Sequence, residues 1–255
     1  MSHAALAANL NSALAALPLE ARIAHIAEQF DQPAFTTSLG LEDQLITSLI
    51  AEHGRAIQVV TLQTGRLFPE TLDLLETTEQ RYGLAIKRFE PETSDVDSYI
   101  STYGLNGFYE SVEARKVCCY VRKVIPLAKA LEGADAWITG LRRDQSDNRK
   151  AIPFAEWDDA RGLIKLNPLA DLSSEALQTL IAKHAIPTNP LHARGYPSIG
   201  CEPCTRAIKP GEPERAGRWW WEQESRQECG LHLENTAENP ASPRQSPAQL
   251  DTANA

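Results

Sequence analysis

Residues 34–62 read AFTTSLGLEDQLITSLIAEHGRAIQVVTL, and this stretch decides the fold. Ala34 to Thr37 is short and rich in β-branched and aromatic side chains, which reads as a strand. Ser38-Leu39-Gly40 ends it. Leu41 to His53 then reads as a helix, with Glu42 and Asp43 in a first turn whose dipole favours acids. Gly54 stops the helix, and residues 56–62 form a second strand. Strand, helix and strand at this rhythm point to an α/β protein built on a parallel sheet.

The alternation continues downstream. Gln63-Thr64-Gly65 turns the chain, and Phe68 to Tyr82 reads as a helix opened by Pro69-Glu70. Residues 85–89 form a third strand. Residues 109–131 read as mostly helical, with a kink or break at Pro126. Residues 136–139 form a fourth strand that ends at Gly140. The expected architecture is a doubly wound, mostly parallel sheet. In such sheets the ligand lies beyond the carboxyl ends of the strands. Ser38-Leu39-Gly40, Thr64-Gly65 and Thr139-Gly140 all end strands, and glycines with hydroxyls there suit a nucleotide cleft.

Either side of this body the signals are simpler. Leu6, Leu10, Leu14 and Leu17 lie one turn apart, and Ile23, Ile26 and Phe30 follow Pro18. Residues 1–31 therefore read as two short helices that pack on the body. Residues 151–166 read as a hairpin with Ile152–Phe154 and Leu163–Leu166 as its arms. Residues 173–183 read as a helix capped by Ser173 or Ser174. Pro187, Pro190 and Pro197 mark a loop-rich region. Residues 233–255 have few apolar side chains and a composition typical of disorder. Residues 1–232 are expected to form a single domain.

The composition excludes several function classes. Apolar residues make up 42% of the 255 and charged residues 23%. The longest apolar runs are a few residues, too short for a membrane span. The N-terminus lacks the basic region of a signal peptide, so a cytoplasmic protein is expected. A net charge of −9 argues against non-specific nucleic-acid binding. Residues 110–150 nevertheless carry nine basic against six acidic side chains. That zone fits a compact anionic ligand or a solvated helix face, and charge alone leaves both open.

The five cysteines are more informative. Cys118 and Cys119 are adjacent, Cys201 and Cys204 form a C-x-x-C, and Cys229 stands alone. Adjacent residues on a helix point about 100° apart, which strains chelation of one tetrahedral ion. A cubane offers separate irons to separate thiolates. The two pairs together favour a metal site over buried core thiols, with a [4Fe–4S] cluster ahead of zinc. Cys229, near the tail, reads either as an incidental surface thiol or as a nucleophile activated by Arg215, Arg218 and Arg226.

Taken together, these motifs resemble one family. Ser38–Asp43, the run Thr64-Gly65-Arg66-Leu67-Phe68-Pro69-Glu70-Thr71, Lys116–Cys119 with Arg122-Lys123, and Gly140–Ser146 match its first half. Cys201-Glu202-Pro203-Cys204-Thr205-Arg206, Glu214–Trp220 and Glu228-Cys229-Gly230-Leu231-His232 complete the match. The chain is similar to the assimilatory adenylyl-sulfate (APS) reductases of the phosphoadenylyl-sulfate (PAPS) reductase family. The resemblance implies an adenine nucleotide alpha-hydrolase-like fold and an enzyme that reduces APS to sulfite and AMP. It also implies a [4Fe–4S] cluster on Cys118, Cys119, Cys201 and Cys204, thioredoxin or a similar dithiol carrier as reductant, and a homo-oligomer. The alternatives within reach are a PAPS reductase and an ATP-dependent pyrophosphatase with a redox cluster. Gln63 stands where the family usually has an acid. Leu39 and Gln44 stand where related ATP pyrophosphatases have glycine and serine, which weakens the ATP reading.

The expected site follows from this. Cys229 is the catalytic nucleophile, carried on a lid spanning residues 205–232. Lys123, Arg142, Arg143, Arg215 and Arg218 are the candidate cations for the phosphosulfate, since arginine offers a bidentate fork and lysine a point charge. Ser38, Gly40, Leu62 and Gly140 are the candidate contacts for adenosine and phosphate.

Overall fold

Six strands form one sheet in the order β3-β2-β1-β4-β6-β5. They are β1 (Pro33–Thr37), β2 (Gln58–Leu62), β3 (Lys87–Phe89), β4 (Ala136–Ile138), β5 (Ala155–Asp158) and β6 (Leu163–Leu166). Neighbouring strands are parallel except β5 and β6. The computed structural model describes residues 2–146 and 149–222. Cys229 and the expected tail of 233–255 lie outside the described residues.

Register puts Phe35 beside Val59 and Ile138, and Ile138 beside Leu166. These side chains share one face of the sheet and the main core with Leu45, Ile46 and Ile50 of helix α3 (Leu41–His53). Leu74 and Leu75 of α4 (Pro69–Tyr82) join the same core. Their neighbours Ala34, Trp137 and Leu163 point to the other face, as the two-residue strand period requires. There they meet Leu127 and Leu131. A sheet buried on both faces is the doubly wound arrangement read from the sequence.

The two N-terminal helices are α1 (His3–Ala16), capped by the Ser2 hydroxyl, and α2 (Leu19–Gln29). Leu10, Leu14, Ile23 and Ile26 are buried in the main core. Helix α1 also covers the free edge of β5. The Asn11 carboxamide oxygen accepts from Phe154 N–H at 2.8 Å and Ala155 N–H at 3.1 Å, and its amide donates to the Ala155 carbonyl. Asn11 thus caps the backbone where β5 begins, one way in which an edge strand is kept from pairing with another chain.

Three local differences from the sequence reading have physical causes. The hairpin's first arm is Ala155–Asp158 and not 152–154, because Pro153 has no N–H to give a ladder. Helix α5 (Thr93–Tyr103) was not expected. Its polar, β-branched sequence has weak helix propensity, although Val96, Tyr99, Ile100 and Tyr103 pack on one side. The break in residues 109–131 lies before Pro126. Helix α6 (Val112–Cys119) runs into a π-helical turn, Tyr120–Val124, and then α7 (Ile125–Ala130). Pro126 has no N–H for the Arg122 carbonyl and its ring crowds that group; the wider turn, with Ile125 N–H donating to the Tyr120 carbonyl, makes room. Helix α8 (Ser174–Lys183) is capped by Ser173. Among the described residues no helix is long and apolar enough to cross a membrane.

Candidate active site

The connection that leaves β1, through α3, and the connection that enters β4, through α7, lie on opposite faces of the sheet, and the cleft opens at the carboxyl ends of these strands. Ser38, Gly40, Leu62, Gly140, Lys123, Arg215 and Arg218 all line it. Leu39 sits between Ser38 and Gly40 with φ of +62° and is buried. The loop thus keeps the left-handed backbone that a glycine adopts freely, at a cost to leucine of about 1 kcal/mol.

Two acids of α3 organise the strand ends. The Asp43 carboxylate accepts from Ser38 N–H at 2.5 Å and from the Ser38 hydroxyl at 2.7 Å. Burial pushes Asp43 up to about 6, against the pull of those bonds. A Cβ at position 140 would stand 2.2 Å from Asp43 Oδ1, so only glycine lets the β4 loop approach α3. Glu42 accepts from Arg142 Nε at 2.9 Å, Arg142 Nη2 at 2.8 Å and Gln145 Nε2 at 2.9 Å. The carboxylates read as dipole partners are therefore clamps between the β1 and β4 loops. Gln44 faces the core, where its amide donates to Thr78 Oγ1 and the Pro187 carbonyl.

Two of the expected cations are not brought into the cleft. Arg142 is 1% exposed, and besides Glu42 its guanidinium donates to the Leu172 carbonyl at 3.1 Å. Glu42, two residues after Gly40, captures it before it reaches the opening. Arg143 donates to the Ile152 carbonyl at 2.8 Å and lies over the Phe154 ring. Arg206, which follows the C-x-x-C-Thr run, is held by Glu212.

Lys123 stands in the π-helical turn Tyr120–Val124, and Arg215 and Arg218 are placed by the segment after the C-x-x-C. Thr205 and Arg218 form a bridge between extended strands, and Trp219 N–H donates to the Cys204 carbonyl at 3.1 Å. The Trp219 ring lies between Arg115 and Arg218, whose guanidinium carbons are 4.9 and 4.8 Å from its centroid. Arg218 is buried and donates to Ser198 Oγ and the Ile199 carbonyl at 3.3 and 3.4 Å. A Cβ at position 200 would fall 2.2 Å from Arg218 Nη2, so Gly200 is the floor on which the guanidinium lies.

Cys118 and Cys119 end α6, and Cys201 and Cys204 flank a single turn. None of these four described thiols is in a disulfide, and they gather in one cluster with Phe108 and Trp219. The C-x-x-C loop is fixed by Glu202 N–H donating to the Arg66 carbonyl at 2.8 Å. Tyr109 O–H donates to the Pro203 carbonyl at 2.6 Å. Thr64 Oγ1 is 3.3 Å from Cys201 Sγ, and the Thr64 carbonyl accepts from Arg122 at 2.7 Å. Burial pushes Cys204 up to about 12, with Cys201 adding to the rise and Lys123 opposing it. Burial likewise raises Cys118, which Arg122 counters. The thiols thus share one electrostatic site.

Among the described residues, no three Cys, His, Asp or Glu side chains stand in a geometry that holds a single metal ion. The donor set itself is all sulfur, walled by aromatic rings, and its soft chemistry fits an iron–sulfur group. Lys123, Cys201 and Trp219 line both the thiol cavity and the nucleotide cleft, so the two sites share a wall.

His192 and Glu214 also line the cleft, and sequence reasoning missed both. His192 Nδ1–H donates to the Tyr196 carbonyl at 2.8 Å, and burial lowers its pKa, favouring the neutral ring. Burial raises Glu214. His192 lies in the proline-rich stretch read only as loop, and no local pattern singles it out.

Comparison with known proteins agrees with this geometry. The chain is 61% identical over 233 residues to the adenosine 5'-phosphosulfate reductase of Agrobacterium fabrum, covering 91% of this chain and 90% of that one. It is 50% identical over 223 residues to that of Burkholderia cepacia, covering 88% and 89%. A crystal structure of the PAPS reductase of Candida auris in a phosphate complex superposes with a TM-score of 0.68 at 24% identity, over 78% of this chain and 95% of that one. That likeness shows the fold. Residues 32–207 match the phosphoadenosine phosphosulfate reductase domain, and with the arrangement above this establishes that the chain belongs to that family.

Proposed function

We infer that this chain is an adenylyl-sulfate reductase, an oxidoreductase of sulfate assimilation that converts APS to sulfite and AMP. The observation that carries the reading is the wall shared by a nucleotide cleft and a four-thiol site, with Lys123 on both sides of it. The relatives named adenosine 5'-phosphosulfate reductase support the choice of substrate.

The reaction proceeds in two steps. The Cys229 thiolate attacks the sulfur of APS, the sulfur–oxygen bond to the phosphate breaks, and AMP leaves with the electron pair. Cys229 then carries an S-sulfonate. A thiolate of a dithiol carrier, thioredoxin in this reading, attacks the Cys229 sulfur; sulfite leaves with the electron pair of the broken S–S bond, and a mixed disulfide of Cys229 with the carrier remains. The carrier's second thiol completes the exchange, returns Cys229 as thiolate and leaves the carrier oxidised.

The chain's own residues answer the electrostatic problem. Two unit negative charges 4 Å apart repel by about 4 kcal/mol at an effective dielectric of 20, and a thiolate must approach a dianion. Lys123, Arg215 and Arg218 supply the opposing charge. Ser38, Gly40, Leu62 and Gly140 receive the adenosine and phosphate. Cys118, Cys119, Cys201 and Cys204 would hold a [4Fe–4S] cluster, which when bound supplies fixed charge and polarisable sulfur beside Lys123. The electrons come from the carrier.

Residues 205–232 form the lid of this reading, rooted where Glu222 pairs with Arg115. Cys229 follows Glu222 by seven positions, a reach of at most about 25 Å. Four thiols outside any disulfide suit the reducing cytoplasm of this reading, and the reading includes a homo-oligomer. The test is sulfite and AMP release with reduced thioredoxin, measured with APS and PAPS side by side. Higher kcat/KM with APS supports the reading. Higher kcat/KM with PAPS, or no sulfite from either, overturns it.

A further inference from the structure

Tyr99 is 1% exposed on α5, where its ring packs with Val117 and Val121, and Cys118 lies against the same cluster. Its hydroxyl is buried and closes no hydrogen bond. Tyr103 stacks on the ring at 5.4 Å, and Gly107 passes close to the oxygen, a Cβ there standing 3.5 Å from it. A phenylalanine would fill the same apolar pocket without stranding a polar atom, and stranding one is costly. The Cys118 thiol, packed against the same cluster, is the polar group of a cluster-site cysteine that acts on the hydroxyl. Burial first, and Cys118 second, hold the phenol above its ordinary range. A neutral thiol is a weak acceptor, whereas a metal-bound thiolate is a strong one.

We propose that the Tyr99 hydroxyl is a positioning donor for the Cys118 sulfur, closing its hydrogen bond when Cys118 ligates the cluster. The proposal rests on the cluster assignment above and deepens it. A donor at a ligating sulfur withdraws charge from it and tunes the iron it holds. It also restrains the ligand against leaving. Tyr99 itself touches neither substrate nor the reacting atoms.

The test compares anaerobically purified full-length wild type with Tyr99→Phe and Tyr99→Met, which remove the donor by two different shapes. Iron content, the rate of iron release to a chelator, and the iron–sulfur stretching bands in H2O and D2O are read for each. Both variants are expected to load iron as wild type does, to release it about three- to tenfold faster, the worth of one hydrogen bond, and to lose part of the D2O shift. Variants that load iron but match wild type in release and D2O shift would overturn the proposal and leave the cluster assignment standing. A wild type that holds no iron would overturn the cluster assignment and this proposal together. A packing role alone would lower thermal stability without moving the D2O shift, which also overturns it.

Discussion

Arg115 and Glu222 form a two-point ion pair, Nε to Oε1 and Nη2 to Oε2 both at 2.8 Å, with side chains 1% and 3% exposed. It ties the helix that ends in Cys118 and Cys119 to the root of the segment that continues to Cys229. Removing one partner leaves a buried charge uncompensated, a loss of about 3–5 kcal/mol. Glu222→Ala is expected to lower the unfolding free energy by that much, read from denaturant unfolding, and Arg115→Met with Glu222→Met together by less than the sum of the singles. Additive losses in a double-mutant cycle would contradict the coupling.

Asp43 gives the fold a titratable clamp. Its folded pKa, about 6, lies above the ordinary 3.8. The stabilisation linked to its proton is therefore fully present below pH 3.8 and is lost as pH rises through 6. Two units correspond to about 3 kcal/mol. Asp43→Asn is expected to gain stability relative to wild type by up to that amount between pH 4 and pH 7, measured by unfolding at each pH. A difference that does not change with pH would contradict the assignment.

Gly200 tests the placement of Arg218. A methyl there meets the guanidinium, the end of a flexible side chain, so the fold tolerates it while the guanidinium is displaced from Trp219 and the cleft. Gly200→Ala is expected to lower kcat/KM at least about tenfold, the worth of one charge-assisted contact, with unfolding changed by less than about 1 kcal/mol. Unchanged kinetics would mean that Arg218 does not meet the substrate.

Much of this was legible in the chain. The rhythm of residues 34–62 set the sheet, and the strand-end glycines at 40 and 140 marked the cleft because ligand approach there needs a bare backbone. The two cysteine pairs pointed to one site before any contact was known. What was not legible depends on distant partners. The Ala155–Asp158 arm follows from pairing with β6, and α5 from packing on Val117 and Val121. Arg142 and Arg143 carry the right charge for the ligand, but only the fold shows Glu42 holding the first and Phe154 under the second. His192 reaches the cleft through a turn closed on Tyr196, which no local pattern announces.

Lys123 and Cys201 share the wall between the two sites, and the proposed function gives them different work. Cys201→Ser is expected to lose iron as well as activity. Lys123→Ala is expected to keep iron and lower kcat/KM at least about a hundredfold, as befits a half-buried charge facing a dianion. Iron analysis beside kinetics checks both. A Cys201→Ser protein with full iron, or a Lys123→Ala protein with wild-type kinetics, would contradict the division.

The central claim is covalent transfer to Cys229, and the intact mass of anaerobically purified protein after exposure to APS without reductant tests it most directly. The account predicts a gain of one SO₃ group in wild type and none in Cys229→Ser. No gain in iron-loaded wild type, or the same gain in the Cys229→Ser protein, would contradict it.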